Sequence, residues 1–585
     1  MQRKNKIEVV SSVAVFASAL ALYLSTAAPN LIYEGGVSVD SAEIQRAAYH
    51  FGIIHSTGYP IYTVLAGLVA RLGEVLGQSA YSWITYFSGL CTALALLVFF
   101  RSARLIAKLL PALAVTLLLA VTNSIWWMST IAEVQGFQAL LLAGCLWALL
   151  YYHQHPTEHR ALYLAALCVG VGLANHRLMV LVLPACALTL LLHYRHWRLR
   201  HLLLLAVCGL LPLLSYGYIY LRAADPFVVY STRPAWVPQP ISTQDATNII
   251  RGTFAGGGAG LETNFELNPD ALLNRLPLLY QHLRDDWNTA LIVIALLALL
   301  LYFAANWRIA LMLLLLALPV APFLLIWKVD VKPIIYQYAL WFPLALALAT
   351  LLSLEHLPAR IVDKLKPLTA RLPQRINQPH VALSLGMSAL VLLLAFSYLS
   401  GSFSQRNQRD DQRAAAFAQD ISQLPDNALF ASVQWAPDVF ITLDYLERSE
   451  ARFTINSTDD WWTQVYAMYD PGYEVYVGEY WRARMGLYDG ATWFLEQNPL
   501  AFSGTRSEFL LQVRPIGDPR LLKRKPTSPR WSTSASTATQ RSTATASNLY
   551  TAAGGSRSTG RRRQRPRILR RLRAPAALRY DVPVG

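Results

Sequence analysis

The chain has 585 residues, 54% of them hydrophobic and only 15% charged, with a formal net charge of +16. A soluble protein carries about 25% charged residues, whereas here the apolar excess is gathered into blocks such as 109–120, 139–150, 291–303 and 340–352. Extended by their apolar flanks, these blocks reach the roughly 20 residues that cross a bilayer core, which excludes a soluble fold for residues 1–400 and predicts a polytopic α-helical membrane protein.

Residues 9–28 follow Arg3, Lys4 and Lys6 in the manner of a signal peptide. Their length of about 20 residues predicts an uncleaved first span instead. The first loop, 29–81, opens with Asp40 and Glu43. Three residues apart, these acids share one face of a helix that begins there. The same spacing is a capping box, with Asp40 at the N-cap and Glu43 at N3, and the two roles are compatible. His55 comes just before Gly58-Tyr59-Pro60, a rigid turn ahead of the next helix. That helix, 58–77, is apolar but carries Arg71 and Glu74 near its end. It is expected to lie at the membrane interface or to re-enter, rather than to cross.

Further spans are expected at 82–100, 109–127, 133–151, 161–174, 177–193, 202–221, 289–303, 308–327, 335–354 and 381–400, which makes about eleven in all. The loops that would face the cytoplasm hold Arg101, Arg104 and Lys108; Arg160; Arg195, Arg198 and Arg200; Arg308; and Arg360, Lys364, Lys366, Arg371 and Arg375. The short loops on the other side hold few cations: Arg177, and Lys328 with Lys332 around Asp330. The asymmetry places the N-terminus in the cytoplasm. Residues 29–81, 223–288 and everything after 401 then lie outside. The five cysteines (Cys91, Cys145, Cys168, Cys186 and Cys208) all fall in apolar segments without a C-x-x-C pair, and read as small buried hydrophobes.

Residues 401–520 differ in character and read as a small extracytoplasmic α/β domain. A helix is expected over 411–423, strands near 428–433, 452–455, 473–477 and 508–513, and helices near 436–447 and 480–496. The tail, 521–585, is rich in Ser, Thr and Arg, densely basic over 561–573, and lacks the apolar content to fold.

Four segments together resemble a known family. Residues 39–67, VDSAEIQRAAYHFGIIHSTGYPIYTVLAG, hold an Asp-Ser-x-Glu followed by a His-x-x-Gly-Tyr-Pro. Further on come 127–139 (WMSTIAEVQGFQA), 170–184 (GVGLANHRLMVLVLP) and 218–226 (YIYLRAADP). Their order is similar to that of the DUF2723 family, which includes the transmembrane protein 260 group and is related to the protein O-mannosyltransferases of GT-C glycosyltransferase fold. Ser56 and Thr57 stand where that family usually has two prolines, and Gln135 where it usually has tyrosine. The likeness is good over 10–230, fades over 230–330 and returns weakly at 401–450.

The resemblance implies transfer of a sugar such as mannose. The donor would be a polyprenyl-phosphate-linked sugar, and the acceptor a hydroxyl of a protein or glycan on the extracytoplasmic face. Such a reaction needs a carboxylate to take the acceptor proton and cationic groups to stabilise the departing phosphate. Asp40 is the expected base, with Glu43 and Glu133 supporting it; His55, His176, Arg177 and Arg222 are the expected phosphate partners. No cofactor is implied. Asp40 and Glu43 offer oxygen ligands to a divalent cation, but two carboxylates without a third are a weak metal site. A transporter or lipid flippase would place ionisable residues near the bilayer midplane, whereas here the acids gather at span ends. A non-catalytic scaffold would not need its acids to converge.

Overall fold

A computed structural model describes residues 2–33, 40–54, 57–223, 242–255, 268–317, 319–326, 341–369, 379–426, 428–432, 441–442, 444–445, 454–457, 474–478, 500–505 and 510–515. His55 and the tail 521–585 lie outside the described residues, as do most of the helices expected near 436–447 and 480–496.

The first apolar segment forms α1 (Gln2–Thr26). Two shorter helices follow, α2 (Ser41–Tyr49) and α3 (Pro60–Val75). Proline at the first position of α3 presets φ and sacrifices only an N–H that has no helical partner. Tyr62, Thr63, Ala66, Gly67, Ala70 and Gly73 form its buried face, while Leu68, Leu72 and Val75 are exposed. Next come α4 (Ala80–Ile106), α5 (Leu109–Ala120), α6 (Asn123–Thr130), α7 (Val134–Gln154) and α8 (His159–Asn175). A 3-10 stretch, Arg177–Val182, leads into α9 (Leu183–Leu192). Then α10 (Leu199–Leu210) continues through a second 3-10 stretch into α11 (Gly217–Ala223). The remaining helices of this part are α12 (Thr243–Ala255), α13 (Pro269–Trp287), α14 (Thr289–Ala305), α15 (Trp307–Ala317), α16 (Val320–Ile326), α17 (Trp341–Thr369) and α18 (Pro379–Arg406).

Seven of the described helices or helix pairs are long and apolar enough to cross a membrane, and nine if two bent pairs are counted as one span each. The segment 58–77 is not among them. The other two segments expected to span are shorter: α8 has 17 residues, and Arg177–Leu192 is a short apolar helix. Of the cysteines, Cys91, Cys145 and Cys168 are buried, whereas Cys186 and Cys208 are only half-buried.

The two bent pairs are joined to each other. α5 and α6 meet at 58°, α13 and α14 at 95°. The second bend turns on Asn288, whose φ of 58° and ψ of 140° lie outside both helical regions, and whose Oδ1 accepts from Ala290 N at 2.8 Å. Asp286, just before it, is 1% exposed. One carboxylate oxygen accepts from Ser124 N at 3.0 Å and the other from the Ser124 hydroxyl. A carboxylate thus meets the N-terminus of α6, where unpaired N–H groups favour negative charge.

Beyond α18 lie α19 (Arg413–Ser422) and five strands: β1 (Ala428–Ser432), β2 (Thr454–Ser457), β3 (Glu474–Gly478), β4 (Leu500–Thr505) and β5 (Leu510–Pro515). They form one mixed sheet in the order β2-β1-β3-β5-β4. β1 is parallel to both neighbours, with Phe430 opposite Ile455 and Tyr476, while β5 is antiparallel to β3 and β4. β4 is a strand that periodicity did not indicate. The sheet domain touches the first loop and the start of α4: Phe417 packs between Tyr33 and Phe430, and the Tyr81 hydroxyl donates to Asp444.

Candidate active site

Asp40 is the N-cap residue of α2 by position, but its side chain makes no capping hydrogen bond. The Asp40 half of the capping box read from the spacing is therefore not formed, and the carboxylate is half-buried. Glu43, one turn on, is 3% exposed. The helix is held from its middle. Gln45 Oε1 accepts from Ile32 N at 3.1 Å, and its Nε2 donates to Asn30 O, Tyr81 O and Thr85 Oγ1 at 3.0–3.1 Å. One amide so ties α2 to the exit of α1 and the start of α4.

Glu133 precedes α7 and is also 3% exposed. Its backbone is clamped by Ser88 of α4: Glu133 N donates to Ser88 Oγ, and Ser88 Oγ donates to Glu133 O, both at 3.0 Å. The close approach of α4 and α7 there depends on Gly136, where a Cβ would sit 2.6 Å from Ser88 O. The Tyr62 hydroxyl of α3 lies 3.3 Å from Ser88 Oγ. Burial raises its pKa, the Ser88 hydrogen bond works against that, and the nearby Glu133 charge adds to it. Tyr62 therefore stays a neutral hydroxyl beside the carboxylate.

His176 reaches the same region from the end of α8. Asn175 Nδ2 donates to Val134 O at 3.2 Å and to Gln138 Oε1 at 3.0 Å, which fastens this end of α8 to the start of α7. His176 Nδ1 accepts from Leu178 N at 3.3 Å, so the proton of a neutral ring lies on Nε2. The ring stacks on Tyr59, with centroids 6.2 Å apart and planes 16° from parallel. Tyr59 is placed by the turn before α3, where Gly58 and Tyr59 both have positive φ, 78° and 40°. Gly58 also lies against α11, where a Cβ would meet Ile219 Cδ1 at 2.6 Å. Arg177 is half-buried beside His176.

Arg222 of α11 donates through a terminal nitrogen to His50 O at 3.1 Å, and Tyr218 donates to Phe51 O and to Gly52 O. α11 so grips the C-terminal end of α2, whereas Asp40 stands at the other end, roughly 15 Å away by helix rise. Glu133, His176, Tyr59 and Tyr62 are brought together by α3, α7 and α8; Asp40 and Glu43 share the first turn of α2; and Arg222 joins the far end of that helix. Arg46, which the sequence reading passed over, is 3% exposed on α2. Its spacing of three from Glu43 was the available signal, and a buried guanidinium is costly unless it is paired. Among the described residues no group of three or more His, Cys, Asp or Glu is arranged to hold a metal ion.

Residues 40–200 match the family described as the protein O-mannosyl-transferase TMEM260 N-terminal domain. The mouse (Mus musculus) protein O-mannosyl-transferase TMEM260 is 31% identical over 236 residues, a match that spans 38% of this chain and 31% of the mouse protein. Two crystal structures of ArnT from Cupriavidus metallidurans, one apo and one bound to undecaprenyl phosphate, superpose with a TM-score of 0.51. They are 13% and 14% identical and cover 86% of this chain and 97% of ArnT, a likeness of fold alone. The chain is thus a polytopic membrane protein of GT-C-like fold whose residues 40–200 are similar to the TMEM260 N-terminal domain.

Proposed function

We propose that this protein is a membrane glycosyltransferase that moves a sugar, with mannose the first candidate, from a polyprenyl-phosphate-linked donor to an acceptor hydroxyl of a protein or glycan. The name of the mouse relative supports the sugar, and the undecaprenyl phosphate bound to ArnT supports the class of donor. The observation that carries the reading is the set of acids within the matched domain: Asp40 is not spent on capping its helix, and Glu43 and Glu133 are both 3% exposed. Buried or half-buried carboxylates held near membrane ends are costly to keep without a task.

In this reading Asp40 takes the proton of the acceptor hydroxyl as that oxygen attacks the anomeric carbon. The bond from that carbon to the phosphate oxygen breaks, and the polyprenyl phosphate leaves with the electron pair. His55, His176, Arg177 and Arg222 answer the charge that develops on it; Glu43 and Glu133 orient the acceptor or support Asp40. The reaction uses no resident metal. The N-terminus is cytoplasmic, about eleven segments enter or cross the membrane, and the 401–520 domain lies on the extracytoplasmic side with the acids. The test is transfer of radiolabelled mannose from polyprenyl phosphate mannose by the purified protein in proteoliposomes with a mixed peptide and glycan acceptor pool. Labelled product is expected; its absence with every polyprenyl-phosphate sugar tried would end the proposal.

A further inference from the structure

Phe51 and Tyr59, both at positive φ (49° and 40°), bound the segment between α2 and α3. Phe51 lies just past the end of α2, where helices commonly finish in the left-handed region. Tyr59 stands instead at the start of a helix and directly before a proline, with a ψ of 51°. A left-handed backbone is unfavourable for a bulky side chain, and the residue before a proline prefers an extended ψ. The conformation is nonetheless enforced from both sides. Thr63 donates to the Tyr59 carbonyl through its N–H and through its hydroxyl, each at 2.9 Å. On the other side Gly58 lies so close to Ile219 that a Cβ has no room. Backbone strain persists only where the surrounding structure over-determines it, and it gathers at functional sites.

What the strained turn delivers to the site is the Tyr59 ring, 5% exposed and stacked on His176 with planes 16° from parallel. The backbone of its partner is pinned as firmly. His176 N donates to Gly172 O at 2.6 Å, and His176 O accepts from Met179 N at 3.0 Å. The bond from Leu178 N to the imidazole Nδ1 is long, 3.3 Å, so a ring lying nearly parallel adds a restraint on the plane of the imidazole. We propose that Tyr59 is a positioning residue: its ring holds the His176 imidazole so that Nε2–H faces the phosphate of the departing lipid. The inference rests on the role given to His176 in the functional reading above. The rival explanation is that Tyr59 merely fills buried space, which an apolar side chain of like size would do as well.

Steady-state transfer from polyprenyl phosphate mannose by the full chain in proteoliposomes separates the two. Tyr59→Leu, apolar but without a flat face, should lower kcat roughly tenfold, the upper end of what one aromatic pair contributes. The donor KM should stay within about twofold, because the restraint matters as charge develops on the phosphate. Tyr59→Phe keeps the ring and should keep most of the rate. His176→Gln should itself lower kcat, and in that background Tyr59→Leu should cost nothing further, since residues that act through one another are not additive. Should the leucine variant fail to fold, Tyr59→Asn, which suits a left-handed backbone, is expected to show the same loss of kcat. A Tyr59→Leu protein with wild-type kcat, a Tyr59→Phe protein that loses as much as Tyr59→Leu, or a double variant whose losses multiply would overturn the positioning role and leave the transfer reaction standing. A wild type that transfers no sugar from any polyprenyl-phosphate donor overturns the functional reading, and this inference with it.

Discussion

Ser88 and Glu133 hold one another through a reciprocal pair of hydrogen bonds, each 3.0 Å, between a single hydroxyl on α4 and both backbone groups of the residue that opens α7. The pair fixes where a buried carboxylate leaves the backbone. Ser88→Ala removes both bonds and leaves a buried N–H and C=O wanting partners. A loss of about 1–3 kcal/mol of stability is expected, read as a lower thermal midpoint in detergent, together with slower sugar transfer. An unchanged midpoint and rate would mean that Glu133 is positioned by something else.

Asp286 joins the two broken helix pairs by accepting from the backbone and hydroxyl of Ser124. Asp286→Ala abandons both donors in a buried place and should cost about 1–3 kcal/mol for each. Asp286→Asn keeps an acceptor for Ser124 N and should lose less. Thermal unfolding of the two variants side by side checks the order; equal losses would show that the charge itself, facing the start of α6, is what matters.

These bends mark the limit of what the sequence disclosed. Residues 109–127 and 289–303 read as apolar spans because hydropathy reports apolar length and not direction. The breaks near Thr122 and Asn288 depend on a contact between residues 162 positions apart, which no local pattern reports. α2 was legible as a helix beginning at Asp40, since acids at a helix start are a local signal. Whether Asp40 capped it was not, because the same spacing serves capping and chemistry alike. Arg46 drew no notice in the sequence, and only tertiary packing buries it. β4 was missed for a different reason: Leu500–Thr505 ends in Ser-Gly-Thr, with its apolar residues confined to the first three, and its partner strand β5 carries the clearer apolar run. His176 and Glu133 come from separate motifs, and their proximity rests on Asn175 reaching back to Val134.

Topology is tested by a reporter fused after residue 520, in which the basic loops predict extracytoplasmic activity. A reporter that reads as cytoplasmic would invert the assignment and separate the acids from the face where the acceptor is proposed to be.

Chelation addresses the metal. With only the Asp40–Glu43 pair read as a weak oxygen site, EDTA treatment followed by assay in chelator should leave the transfer rate unchanged. A rate that collapses and returns on adding magnesium or manganese would require a metal-assisted mechanism.

The central claim is that Asp40 acts as the base, and Asp40→Asn tests it most directly. Asparagine matches aspartate closely in size and is about as good at an N-cap position but does not accept the proton, so the variant removes the base while disturbing the start of α2 little. The measurement is the rate of transfer from polyprenyl phosphate mannose by wild-type and Asp40→Asn protein of matched thermal midpoint. The account predicts a folded, membrane-inserted variant whose rate falls by roughly 10²–10⁴-fold, the usual worth of a general base. Transfer by Asp40→Asn at close to the wild-type rate would contradict it and pass the role to Glu43 or Glu133.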